Sequence, residues 1–148
     1  MKQIFILLTL FALLALACNT STFFATPTPE PTPTPVPVGT DLQAPLPLGD
    51  AARGEMLFNG QVNGQFACSA CHGVFEGQVT TCPNIVGLAT RAASRIPGYS
   101  AETYIRESIV SPNAYLVEGY TAGIMPPNFA ETMTAQQLAD ILAFLMTR

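Results

Sequence analysis

The segment Cys68-Ser69-Ala70-Cys71-His72 is a C-x-x-C-H sequence, with two thiols three positions apart and an imidazole directly after the second. This spacing is that of the attachment signal for c-type haem. Two thiols so placed can add to the two vinyl groups of one porphyrin. The adjacent histidine is then positioned beneath the iron as its proximal ligand. The segment therefore predicts one covalently bound haem c, held by Cys68, Cys71 and His72.

Three other kinds of site are compatible with the same residue types. A C-x-x-C redox pair usually begins a helix after a strand, and no strand-rich pattern precedes Cys68. A structural disulfide is possible in an oxidising compartment, but it gives His72 no role. A zinc site using Cys68, Cys71, His72 and Cys82 has suitable ligands, yet Cys71 and His72 are neighbours and would have to bend back onto one ion. Haem attachment is the leading interpretation.

A bound haem iron needs a sixth ligand or an open site. The chain has a single histidine, so methionine is the obvious candidate for that ligand. Met125 lies in a loop stiffened by two prolines, as expected of a ligand on a rigid, non-helical segment. Met56 and Met146 fall in apolar helical patterns and are predicted to fill the core. Met133 directly precedes the start of the last predicted helix.

With these residues in place, the chain resembles a class I c-type cytochrome over residues 49–148. Gly54 and Phe58 match the glycine and aromatic of the family's N-terminal helix, and Ile141 and Phe144 match the pair on its C-terminal helix. The resemblance implies an all-α cytochrome c fold, with about four helices around one covalently bound haem.

The resemblance also implies further site residues. The family orients its proximal histidine through a proline carbonyl, and Pro83 occupies that place, so Nδ1 of His72 should point at the carbonyl of Pro83. Met125, followed directly by a proline, matches the family's distal ligand loop. Iron would therefore be bound by His72 and Met125. Cys82 stands where the family usually has glycine, and we predict a small buried residue there.

Caps and apolar spacing predict four helices independently of the resemblance. Two begin at Asp50 and Ser100 and run to about residues 59 and 110, and a capping box of Thr134 with Gln137 opens the last helix. A short helix is predicted over residues 85–94. The stretch between residues 58 and 68 contains two Asn-Gly pairs and is predicted to be a mobile surface loop.

The N-terminal part has the composition of an export signal followed by a tether. Residues 4–17 are almost wholly apolar and follow Lys2, the layout of a secretory signal. The run ends at Cys18 in a sequence resembling a bacterial lipobox, which implies that residues 1–17 are removed and Cys18 is lipidated; an uncleaved anchor is the alternative.

Prolines then recur through residues 18–48, where eight of the chain's thirteen lie. The TPTPEPTPTPVP run favours extended polyproline II, so we predict a tether that cannot pack a core. The remaining residues, 49–148, form the predicted haem domain, exported and anchored on the outer face of the cytoplasmic membrane.

Charge and composition narrow the function. Ten acidic residues against six basic ones give a net charge of −4, with no basic stripe for nucleic acid. A partner with a basic docking surface is expected instead. No acid–base pair or nucleophile is evident, so the leading hypothesis is a carrier of single electrons between respiratory or photosynthetic partners, not an enzyme.

Two other functions remain open. The sequence is similar to the monohaem cytochrome subunit of alternative complex III, which implies a fixed subunit of a quinol-oxidising membrane complex. A haem sensor or peroxidase with an open distal site is possible if Met125 does not bind iron.

Overall fold

The computed structural model describes residues 36–148. The predicted signal peptide, Cys18 and the first part of the tether lie outside the described residues. Across residues 36–148 the chain forms five α-helices and one 3₁₀ turn: α1 (Ala51–Asn59), the turn Cys68–Ala70, α2 (Leu88–Ala92), α3 (Ala101–Val110), α4 (Phe129–Thr132) and α5 (Ala135–Leu145). No strand forms within this range, which confirms the all-α prediction. In the same range no helix is both long and apolar enough to cross a bilayer.

The predicted caps are present at the three long helices. The side chains of Asp50 and Ser100 each accept a hydrogen bond of 3.0 Å from the backbone N–H three residues later. Thr134 and Gln137 form the reciprocal capping box. The short helix α2 is shorter than predicted, because Gly87 precedes it in a left-handed conformation (φ +67°) that interrupts helical geometry. The four-residue helix α4 was not predicted.

Helices α1 and α5 cross at Gly54, the residue that the resemblance matched to the glycine of the family's N-terminal helix. A Cβ on Gly54 would lie 1.9 Å from the carbonyl oxygen of Asp140, so only glycine permits this approach. Beside the crossing, the rings of Phe58 and Phe144 are 5.4 Å apart between centroids. Contact with α5 buries one face of α1, and buried apolar side chains of both helices belong to the hydrophobic core.

Two methionines predicted to fill the core do not. Met56 is 67% exposed and Met146 is 40% exposed. On α1 the buried residues are Gly54 and Phe58, one turn apart, so Met56 between them points to the opposite side. Met146 caps the end of α5, beyond its buried face. Met133 is the methionine that fills the core.

Residues 36–48, called the strap below, pack on the domain, so the tether prediction is wrong over this range. The N–H of Val38 donates to the carbonyl of Met133, and that of Gly39 donates to the carbonyl of Ala130, both at 2.8 Å. Apolar side chains of the strap pack against the core: Val38, Leu42 and Leu46. The alternating prolines end at residue 37, and these spaced apolar residues then supply a buried face. The folded domain begins before residue 49.

The loop after α1 is also held more firmly than predicted. Val62 is only 3% exposed and belongs to the core. Asn63 takes a positive φ of 50°, and its side-chain amide donates to the carbonyl of Thr132 and to the side chain of Gln137. The turn predicted from the second Asn-Gly pair forms, with Asn63 and Gly64 both at positive φ, but the prediction of a surface loop is wrong at Val62, which is buried.

Candidate functional site

The C-x-x-C-H segment folds into a tight turn. The N–H groups of Cys71 and His72 both donate to the carbonyl of Cys68, at 3.1 and 2.9 Å. Cys68 and Cys71 are free and partly exposed thiols. Burial raises the pKa of the Cys68 thiol, which therefore stays protonated at neutral pH. One turn of backbone thus fixes the imidazole and both thiols relative to each other.

His72 is oriented by the carbonyl that the resemblance named. Its Nδ1 lies 2.7 Å from the carbonyl oxygen of Pro83, so Nδ1–H donates and Nε2 carries the free lone pair. Burial lowers the pKa of His72, and the hydrogen bond to Pro83 opposes that shift. The imidazole is consequently neutral at pH 7, the form that binds a metal.

The Pro83 carbonyl is itself held by a network that sequence reasoning missed. Asn84 donates from Nδ2 to the carbonyl of Phe75 at 2.8 Å, and its Oδ1 accepts from the N–H of Val86 at 2.8 Å. The guanidinium of Arg91 donates to the carbonyls of Asn84 (2.6 Å) and Val86. These bonds fix the backbone on the C-terminal side of Pro83. The role of Arg91 could not be predicted from an acidic residue at a suitable spacing, because its acceptors are backbone carbonyls.

A cavity of about 720 Å³ lies beside the imidazole. It brings together four of the predicted site residues, Cys68, His72, Pro83 and Met125. Most of the remaining wall is apolar, including Phe58, Ile85, Ile105, Ile109, Phe129, Met133, Ile141 and Leu145. Cys71 does not line this cavity. The distal candidate Met125 is partly buried and packs against the core.

Cys82 is buried, as predicted, and lies beside the attachment segment. Its N–H donates to the carbonyl of Cys71 at 3.3 Å, and it forms a parallel bridge with His72. Burial raises the pKa of its thiol, and the nearby Cys71 adds to that rise. Although Cys82 is close, no group of three or more His, Cys, Asp or Glu side chains across residues 36–148 is arranged to hold a metal ion. The structure thus contains no zinc site at these residues.

The donors and lining of the cavity fit a haem. An apolar cavity of several hundred Å³ is of the size that bound cofactors occupy. A neutral imidazole with a free Nε2 is on its wall, together with the Cys68 thiol and the Met125 side chain. The cytochrome c family model matches residues 51–148. The chain belongs to the cytochrome c family. No curated protein sequence matches it significantly.

Membership of the cytochrome c family implies covalently bound haem c and electron transfer, generally without catalysis of a substrate's reaction. Cytochrome c domains are also typically exported. The residues of this cytochrome c that could hold the haem are Cys68 and Cys71 through thioethers, and His72 through Nε2. Sequence reasoning found them from one local motif, whereas Arg91 and the strap were recognised only in the folded structure.

Proposed function

We propose that this cytochrome c is a monohaem electron carrier tethered to the outer face of the cytoplasmic membrane through a lipidated Cys18. The observation that carries the proposal is the His72 imidazole, oriented by Pro83 at the wall of an apolar cavity that Met125 also lines. A ligand pair of histidine and methionine raises the reduction potential of a haem relative to two histidines. Such a pair suits delivery of electrons toward a terminal acceptor.

Each site residue has a distinct role in this proposal. Cys68 and Cys71 would hold the porphyrin through thioethers, and His72 and Met125 would bind its iron. Pro83 keeps the imidazole in one tautomer and orientation, which tunes the basicity of Nε2. When bound, the haem supplies a one-electron change between ferric and ferrous iron. The apolar lining would limit the access of water to the haem, and solvent access is one of the factors that set the reduction potential of the iron.

Exposed apolar side chains surround the cavity mouth and support a docking role for this surface. Val79, Leu116 and Ile124 line the cavity and are exposed. Phe75, which is also exposed, lies on the same segment as Val79. Because the chain carries a net charge of −4, a redox partner with a basic rim around an apolar contact is the expected complement.

The strap shortens the tether of this proposal. Since the domain includes residues from 36 onward, only residues 19–35 remain between Cys18 and the folded part. A polyproline II segment of that length would reach about 50 Å, at ~3.1 Å per residue. This reach suits a carrier confined near the membrane surface, and it equally suits a fixed subunit of a quinol-oxidising complex, the second candidate.

The test is purification of the full chain from a host that attaches haem outside the cytoplasm. We expect a c-type Soret and α-band in the reduced spectrum, and a mass that contains one haem and a lipidated N-terminus. A colourless protein would contradict the proposal. Extraction from native membranes in mild detergent separates the two candidates. Migration alone at the size of one chain indicates a carrier, and comigration with large haem proteins indicates a subunit.

A further inference from the structure

Arg106 is a buried cation that is satisfied by the strap. The residue is only 6% exposed, and its guanidinium donates to the carbonyls of Asp41 (2.7 Å) and Ala44 (2.9 Å). None of the salt bridges formed among residues 36–148 involves Arg106. Because a buried charge is costly unless it is well hydrogen-bonded, the two strap carbonyls are what make this position of Arg106 tolerable.

The other end of the strap is attached to the chain just after the distal methionine. The N–H groups of Val38 and Gly39 donate to carbonyls in and just after α4, the short helix that begins four residues beyond Met125. The loop of residues 113–128 has few bonds of its own across its width, the clearest being from the N–H of Gly123 to Oδ1 of Asn113 (2.9 Å). The C-terminal end of this loop is therefore anchored through α4.

We infer that Arg106 and the strap are positioning elements, which hold α4 in place and thereby hold Met125 against the haem. The inference rests on the proposed function, in which Met125 binds iron. Arg106 does not line the cavity, whereas Ile105 and Ile109 of the same helix α3 do. Arg106 thus acts through the strap, by hydrogen bonds to the carbonyls of Asp41 and Ala44.

A looser strap should make Met125 easier to displace from iron. The measurement is titration of the ferric full-length protein with imidazole, following loss of the methionine–iron charge-transfer band, together with the reduction potential. For Arg106→Leu we expect imidazole to bind roughly tenfold more tightly (about 1.4 kcal/mol), with a lower potential. Arg106→Lys, which keeps the charge and can reach one carbonyl, should recover part of the effect.

Two controls separate positioning from a general loss of stability. Arg53→Gln removes the hydrogen bonds from Arg53 to Asp140 at the crossing of α1 and α5, neither of which goes to the strap, and it should lower the melting temperature without changing imidazole affinity. Val38→Pro removes the N–H that donates to Met133, together with the packing of the valine side chain, and should increase imidazole affinity, whereas Val36→Pro, two residues earlier at an exposed position, should not. The Val38 variant also covers the case in which Arg106→Leu does not fold.

A measurement on the unmodified protein gives a further check, because coupling between two sites is reciprocal. If the strap holds Met125, displacement of Met125 by imidazole must speed hydrogen exchange at the amides of Val38 and Gly39. Unchanged affinity in the Arg106 and Val38 variants, or unchanged exchange, would overturn the inference while leaving the proposed function intact. A wild-type protein without the charge-transfer band would instead contradict Met125 ligation itself.

Discussion

The two sides of the haem cavity are held in different ways. The proximal segment, residues 68–91, is held by hydrogen bonds within itself. The side chains of Asn84 and Arg91 bond to backbone groups of the same segment. The distal loop, residues 113–128, has exposed apolar residues and two internal hydrogen bonds, from the N–H of Gly123 to Oδ1 of Asn113 and from the N–H of Tyr120 to the carbonyl of Val117. Its end is fixed from outside, by hydrogen bonds between the strap and the α4 region.

This difference follows from what each side must do for electron transfer. Under the proposed function, the C-x-x-C-H segment is the part of the chain that holds haem, and its local hydrogen bonds place His72 and both thiols together. Met125 would bind iron from a separate loop, and packing from a distant part of the chain can hold that loop. The comparison predicts that proximal changes affect whether haem is bound, and distal changes affect how it is bound.

The largest expected effect comes from exchanging the two proposed iron ligands for alanine in turn. His72→Ala removes part of the attachment motif, so the purified protein should contain little or no haem. Met125→Ala should retain covalently bound haem, lose the methionine–iron charge-transfer band, and lower the potential by tenths of a volt, within the ~0.8 V span that axial ligands cover. Absorption spectra and potentiometry check both. An unchanged charge-transfer band in Met125→Ala would move the ligand role to another residue.

The sequence predicted the parts of this comparison that are encoded locally. Helices α1, α3 and α5 each begin at a short polar side chain that accepts a hydrogen bond from the first turn. Their apolar spacing then defines a buried face. The attachment motif is likewise a matter of five consecutive residues. The hydrogen bond between His72 and the carbonyl of Pro83 joins residues eleven positions apart, so local sequence does not indicate it, and it was predicted through the resemblance.

What the sequence did not predict depends on tertiary contacts without a sequence pattern. Helix α4 has four residues and no side-chain cap at Asn128, so neither spacing nor capping marks it. The strap begins at the end of the run of alternating prolines and still contains Pro45 and Pro47, so its proline content indicated a continuing tether. Arg91 and Arg106 donate to backbone carbonyls, and a backbone acceptor is present at every residue. Only the folded chain shows which carbonyls they reach.

An intermediate effect, on the stability of the whole domain, is expected from substituting Asp140 at the crossing of α1 and α5. Asp140 is buried and accepts hydrogen bonds from the guanidinium of Arg53 and the N–H of Asp50. Asp140→Asn should lower the free energy of unfolding at pH 7 by about 1–3 kcal/mol, because the amide cannot accept the same charged bonds. Denaturant titration measures this loss, and the proximal and distal haem signals should be lost together in the same unfolding transition.

The effect of Asp140 should also depend on pH. The hydrogen bond from Arg53 lowers the pKa of Asp140 in the folded state. Its stabilisation is therefore complete above the unfolded pKa, about 3.9, and is lost as pH falls through the folded pKa. Wild type and Asp140→Asn should converge in stability as pH decreases below about 4. An equal gap between them at neutral and acid pH would show that the carboxylate's charge is not responsible.

The smallest effect is expected from removing one asparagine on each side. Asn84→Ala removes all three side-chain hydrogen bonds that hold the backbone beside Pro83, and Asn113→Ala removes the one hydrogen bond from the N–H of Gly123. At about 0.5–1.5 kcal/mol per hydrogen bond, both variants should fold. If the proximal side is fastened locally and the distal side from outside, Asn84→Ala should reduce the yield of haem-containing protein and leave imidazole affinity nearly unchanged. Asn113→Ala should do the opposite, with normal haem content and a modestly raised imidazole affinity. Equal effects of the two variants on both measurements would mean that the two sides form one cooperative unit, because neither ligand could then be disturbed without the other.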